Sequence, residues 1–126
     1  MTTAIWCVLI AGLLPYIAAA AAKAGPGFDN NEPRAWLAKQ QGFRARANAA
    51  QQNGFEAFAF FAAAVLVAHV VRGPQAQVDL LAMVFVVARL LYLAFYLAGW
   101  GALRSLVWCV GFGAALWIFL TAAIPR

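Results

Sequence analysis

Hydrophobic positions along the chain gather into four long stretches, at about 4–22, 47–71, 78–98 and 103–124, with short polar punctuation between them. Each is near or above the roughly 20 residues that a helix needs to cross a ~30 Å hydrocarbon layer. The pattern predicts four transmembrane helices, an all-α integral membrane bundle in which residues 1–126 form a single domain. Pro15 lies inside the first stretch and is expected to kink it, which neighbouring helices accommodate in a membrane. Between the first two spans lies 23–46, whose GPGFDNNEPR segment carries the Gly, Pro, Asn and Asp of turns and is predicted to be the one long loop. RGPQAQVD and GWGALRS read as tight turns, making spans two, three and four sequential antiparallel neighbours. The run of alanines at 18–22 favours close helix packing.

Composition sharpens this picture. Apolar and aromatic residues make up 66% of the chain and charged residues 10%, with a mean hydropathy of +0.81. Soluble domains use about 45–50% apolar and about 25% charged residues, so a water-soluble globule is excluded. The net charge of +5 comes from nine Lys and Arg scattered singly, which builds no basic surface for nucleic acid. It reads instead as membrane topology. Lys23, Arg34, Lys39, Arg44, Arg46 and Arg104 fall on the side of the long loop, against Arg72 and Arg126 on the other, so the loop is expected in the cytoplasm and both termini opposite. The N-terminal run lacks a basic leader and exceeds a signal-peptide core, so it reads as a span, although its alanines resemble a cleavage site. Cys7 and Cys109 lie in apolar segments, with neither a disulfide framework nor a metal spacing, and read as packing residues at depths too different for a bond within one subunit. Trp6, Trp100, Trp108 and Trp117 read as interfacial anchors, and His69 beside Arg72 as an interfacial residue, with no metal site expected.

Ionisable groups at membrane depth are costly, which singles out Glu56 in span two and Arg89 in span three. Counted inward from Arg46 and from Gly99 at 1.5 Å per residue, both lie about 15 Å deep. Arg46, Ala49, Asn53 and Glu56 share an arc of about 80° on span two, and Phe85, Arg89, Tyr92 and Tyr96 share one on span three. A Glu56–Arg89 ion pair, with Asn53 and the tyrosines as interhelical hydrogen-bond partners, is one reading. The surplus of hydroxyl, amide and guanidinium groups at one mouth favours another, a polar ligand. Arginines grip carboxylates or stabilise a thiolate, a carboxylate takes an ammonium, and Asn and Tyr orient amides, so a zwitterionic peptide with an acidic end suits the set. A polar stripe on each of two adjacent spans is best used where one faces a neighbouring subunit, which predicts an interface site in a symmetric assembly.

The stretch RARANAAQQNGFEAFAFF, followed by ARLLYLAFY and the later LRS, resembles the MAPEG superfamily, the membrane-associated proteins in eicosanoid and glutathione metabolism, and in particular its bacterial-type microsomal glutathione transferase-like members. The resemblance covers nearly the whole chain and includes the four-span layout and the long first loop. It implies a homotrimer with glutathione as co-substrate between subunits at the cytoplasmic end, its sulfur near the membrane where an apolar electrophile or lipid hydroperoxide arrives. Asn53 and Glu56 match glutathione-contacting positions, Glu56 on the γ-glutamyl ammonium, and Gln51 matches a weaker contact. Arg89, Tyr92 and Tyr96 match the ligand-contacting face of the neighbouring subunit. Arg104 resembles the arginine that stabilises the thiolate, with Ser105 after it. A guanidinium lowers the thiol pKa and, unlike a lysine, stays charged when partly desolvated.

The chain departs from the family pattern at Ala49, where an arginine is usual, so Arg46 or Arg44 is expected to serve. The spacing from Tyr96 to Arg104 also differs by about one residue. The sequence therefore leads to a detoxifying membrane glutathione transferase, with peroxidase or isomerase activity as branches it does not choose between. Two other classes stay open: a small four-helix transporter of cationic drugs built on Glu56, and a glutathione-binding membrane protein without turnover. Without the resemblance, Arg104 reads as a positive-inside anchor and the tyrosines as aromatic packing.

Overall fold

The computed structural model describes residues 1–124; Arg126, counted above with the outer charges, lies outside them. Five helices follow one another: α1 (Thr3–Lys23), α2 (Pro33–Ala38), α3 (Phe43–Arg72), α4 (Ala76–Ala98) and α5 (Gly101–Ala123). Four of them, all but α2, are long and apolar enough to cross a membrane. Large apolar side chains such as Leu9, Leu66, Leu80 and Leu106 point outward as well as inward, which suits a helix whose solvent is hydrocarbon on one side and protein on the other.

Around the bundle α1 packs on α3, α3 on α5, α5 on α4 and α4 on α1, with α3 and α4 also touching across the middle. Spans two to four are thus antiparallel neighbours as the short turns require, but α3 leans more heavily on α1 than on α4. Small residues make this possible: Ala4, Ala11, Ala64, Ala68, Ala82 and Ala115 are all buried where helices meet. Phe61 and Phe85 stack 3.9 Å apart at the centre, with Val65, Val78 and Ile118 fully buried around them. At Gly54 a Cβ atom would come 2.9 Å from Pro15 Cγ, so α1 and α3 are in close contact where a glycine meets the proline. α1 is a single unbroken helix through Pro15.

Most helix ends lie within two residues of the apolar pattern, and the start of α3 is the exception. α3 begins at Phe43, four residues before the predicted span, because arginine and alanine are good helix formers and nothing after Gly42 breaks the ladder. Arg44 and Arg46 therefore belong to its first turn and not to the loop. The rest of the loop is also less open than its composition suggests. α2 buries Leu37 against Ala22 and Ala47, and Trp36 meets Phe28 edge-on at 5.1 Å. Cys7 is buried as expected, whereas Cys109 faces outward from α5 and is not a packing residue.

At the far end from this loop, α1 is tied down by the helices that follow it. Thr2 Oγ1 accepts from the Ile5 amide at 3.3 Å as a local cap. The His69 ring lies between two partners, Nδ1 2.9 Å from the Val65 carbonyl and Nε2 2.8 Å from Thr2 Oγ1. Since a carbonyl only accepts, Nδ1 carries a proton, and in the neutral ring Nε2 accepts from the Thr2 hydroxyl. Asp79, at the start of α4, accepts from the Ala4 amide at 2.8 Å. His69 is thus a helix-joining residue, with its ring nitrogens both engaged.

Candidate functional site

The site is set by how α4 runs against α3. Near the loop end, Arg46 donates from Nε and Nη2 to the Leu97 carbonyl at 3.3 and 3.2 Å. Seven residues on along α3 and eight back along α4, Arg89 Nη1 donates to Asn53 Oδ1 at 3.0 Å. A guanidinium has no acceptor, so the amide must present its oxygen. Arg89 is 7% exposed and its Cζ also lies 4.0 Å from the Tyr92 ring centroid. Tyr92 meets Tyr96 edge-on at 5.5 Å, and the Arg104 guanidinium sits 4.4 Å over the Tyr96 ring. Cation–π contacts of this kind are worth about 0.5–2 kcal/mol, more as water is excluded.

A continuous ladder results: Asn53 on α3, then Arg89, Tyr92 and Tyr96 on α4, then Arg104 on α5. The turn that brings α5 back is two residues long. Gly99 takes the left-handed conformation at φ 78°, its amide bonding Tyr96 O, while the Trp100 amide bonds Phe95 O. This helix-ending motif needs a residue without a Cβ penalty, and it sets Arg104 one turn into α5, beside Tyr96.

The Glu56–Arg89 ion pair does not form; Asn53 holds Arg89, and Glu56 is exposed one turn further along α3. Arg46 reaches Leu97 through its hydrogen bonds and lies against Gly99 as well, so the two helices are level at the mouth much as the spacing predicts. Asn53 and Glu56 stand one turn apart on α3, and the long Arg89 side chain reaches the one nearer the mouth, Asn53. Glu56 nevertheless lines the same cleft as Asn53 and Arg89, a space of about 240 Å³ between α3, α4 and α5. Its remaining wall is apolar: Ala57, Phe60, Phe85, Trp108, Phe112 and Ala115. Trp108 was expected as an interfacial anchor but stands two turns into α5, stacked on Phe112 at 5.2 Å with 4° between the rings. The aromatic wall carries no signal in an apolar sequence beyond the four-residue step from Arg104 to Trp108 to Phe112.

The two polar stripes therefore meet inside one subunit, so Arg89, Tyr92 and Tyr96 need no neighbour to reach Asn53. Arg46, Tyr96 and Arg104 share a second cavity of about 150 Å³ at the mouth, floored by Trp100. Of the two candidates to stand in for the arginine replaced by Ala49, Arg46 is the one at this mouth. Arg44 is turned to the loop, donating to the Ala24 carbonyl at 3.2 Å. Gln51 is not part of the ladder. It faces a separate cavity of about 580 Å³ with Lys23, Arg34, Asn48 and Gln52, and its Oε1 is buried with no hydrogen-bond partner. Ser105 is exposed beside Arg104 and lines neither the cleft nor the mouth cavity. No group of three or more His, Cys, Asp or Glu among the described residues is placed to hold a metal ion.

Fold and site together describe a membrane-embedded four-helix bundle with a basic, phenol-lined polar ladder opening on an apolar cleft. The MAPEG family model matches residues 3–124, and the chain belongs to that family. It is an integral membrane protein related to glutathione or eicosanoid metabolism. No curated protein and no solved structure matches it.

Proposed function

We propose that the protein is a membrane glutathione transferase that joins the glutathione thiolate to apolar electrophiles from the bilayer. The observation that carries this is the ladder from Asn53 to Arg104 beside an apolar cleft, with Glu56 on its rim. Glu56 takes the γ-glutamyl ammonium, Asn53 and the tyrosines orient the peptide, and Arg46 holds a carboxylate at the mouth. Arg104 faces the sulfur. A free thiol is mostly protonated near neutral pH, and a guanidinium beside it favours the thiolate, raising the concentration of the nucleophile. The same thiolate serves lipid hydroperoxides: one glutathione attacks the peroxide, a second releases the disulfide, and the alcohol and water leave.

In this reading three copies assemble as a homotrimer. The Gln51 cavity of one subunit closes over the ladder of the next, giving the buried Gln51 Oε1 a donor and adding Lys23 and Arg34 near the peptide's acidic end. The Lys and Arg asymmetry supports a cytoplasmic orientation of this end, with the termini opposite. Arg89, in the cleft with Glu56, opposes a cation path through the bundle.

The test is an ultraviolet difference spectrum of the detergent-purified protein with glutathione. A thiolate band is expected in the wild type, weakened in Arg104→Ala and lost together with binding in Glu56→Gln. Absence of both the band and calorimetric binding would overturn the reading and make cation efflux the next assay.

A further inference from the structure

The cleft beside the ladder has a shape that selects among electrophiles. Residues 104, 108 and 112 recur at four-residue steps, so Arg104, Trp108 and Phe112 lie along one stripe of α5, with about 6 Å from each to the next. The rings on that stripe and on α3 stand nearly parallel. Trp108 and Phe112 are 4° apart in plane, and Phe112 and Phe60 are 21° apart with centroids 5.6 Å from one another. Phe60 in turn stacks on Phe119 at 18°. Trp108 and Phe112 remain 38% and 44% exposed, so each keeps ring surface to offer. Ala57 and Ala115 leave the space between open.

Size adds a second constraint. The cleft, at about 240 Å³, exceeds the roughly 150 Å³ cavity that accepts benzene but falls below the roughly 300–1,000 Å³ of sites for drug-sized molecules. With the peptide on the Asn53 and Glu56 edge, the aromatic side has room for a single ring. Parallel aromatic faces attract an electron-poor ring in offset stacking, a gain an alkyl chain does not share.

We infer that this site prefers flat, aryl-conjugated carbonyl acceptors, and that Trp108 and Phe112 are the residues that select them over alkyl acceptors. This rests on the transferase reading and narrows its substrate class. The ring of the acceptor lies on Trp108, one turn from Arg104, so its conjugated carbon comes to the sulfur. The thiolate pair forms the carbon–sulfur bond at the β-carbon, and the alkene pair moves onto the carbonyl as an enolate. A proton from water then gives the saturated ketone, with no change in overall oxidation state.

The experiment compares benzylideneacetone with an alkyl enone of similar mass, each rate divided by the uncatalysed rate, in wild type, Trp108→Leu and Phe112→Leu. The wild type is expected to favour the aryl acceptor in kcat/KM by roughly tenfold. Trp108→Leu should bring the ratio near one while the thiolate band and glutathione affinity stay unchanged. Where Trp108→Leu does not fold, Phe112→Leu carries the test. An absent preference, or one that neither variant moves while the thiolate band persists, overturns this inference and leaves the transferase standing. Loss of the band and of glutathione binding in the wild type overturns both.

Discussion

Asn53 and Glu56 sit three residues apart on one helix and have different tasks. Asn53 is committed to Arg89, whose guanidinium is buried and needs that oxygen. Asn53→Ala is expected to lower unfolding stability by about 1 kcal/mol, a scale set by interhelical hydrogen bonds in membranes, and to loosen glutathione binding as Arg89 shifts. Glu56 is exposed, so Glu56→Gln is expected to reduce glutathione affinity at least tenfold with the melting temperature in detergent unchanged; calorimetry and thermal unfolding of both variants separate the two roles. In the proposed reaction Arg104 favours the thiolate, hence the deprotonated form. Turnover rises with pH as the bound thiol ionises, and in Arg104→Ala the midpoint of that rise should move upward by about one unit or more in a pH profile of kcat/KM. The members of this set were legible in the sequence because charges, amides and phenols are conspicuous within apolar stretches. Their pairing was not. Helical spacing puts Arg89 on a face but does not say which of two residues one turn apart on α3, Glu56 or Asn53, its long side chain reaches. Trp108 and Phe112 were hidden for the opposite reason, since aromatic residues are ordinary in a membrane span.

The long helices follow directly from run length and hydropathy, the two quantities that the bilayer dictates. What sequence left open at this scale was the ends. Arg44 and Arg46 look like loop residues by charge yet extend α3 by a turn, because a helix projecting from the hydrocarbon carries charge at no desolvation cost. The contact between α1 and α3 was likewise only half visible: the alanine run promised close approach, but the sequence did not show that Gly54 meets Pro15. Gly54→Ala is expected to push these helices apart where both are rigid, costing about 1–3 kcal/mol in thermal unfolding. Because Gly54 adjoins Asn53, the same variant should also weaken glutathione binding, measured by calorimetry. Gly12→Ala, whose Cβ would meet the mobile edge of Phe58 at 3.1 Å, is expected to be milder in both readouts.

At the scale of the whole molecule, the ladder is complete within one chain while the Gln51 cavity opens away from it. Chemical cross-linking in detergent is expected to end at a trimer, and Gln51→Leu, which removes the unpaired oxygen, should leave that trimer intact while reducing glutathione affinity severalfold. A ladder of products ending at dimer would argue against the arrangement. The tie at the opposite end of the bundle bears on how the chain is made. The amide of Ala4 finds its acceptor on Asp79, 75 residues later, and Thr2 meets His69 across 67. Made before its partners, α1 therefore waits with this end incompletely bonded until the start of α4 has been made. The seam at this end of α1 closes late, and a nascent chain halted before residue 79 lacks the carboxylate that fastens it.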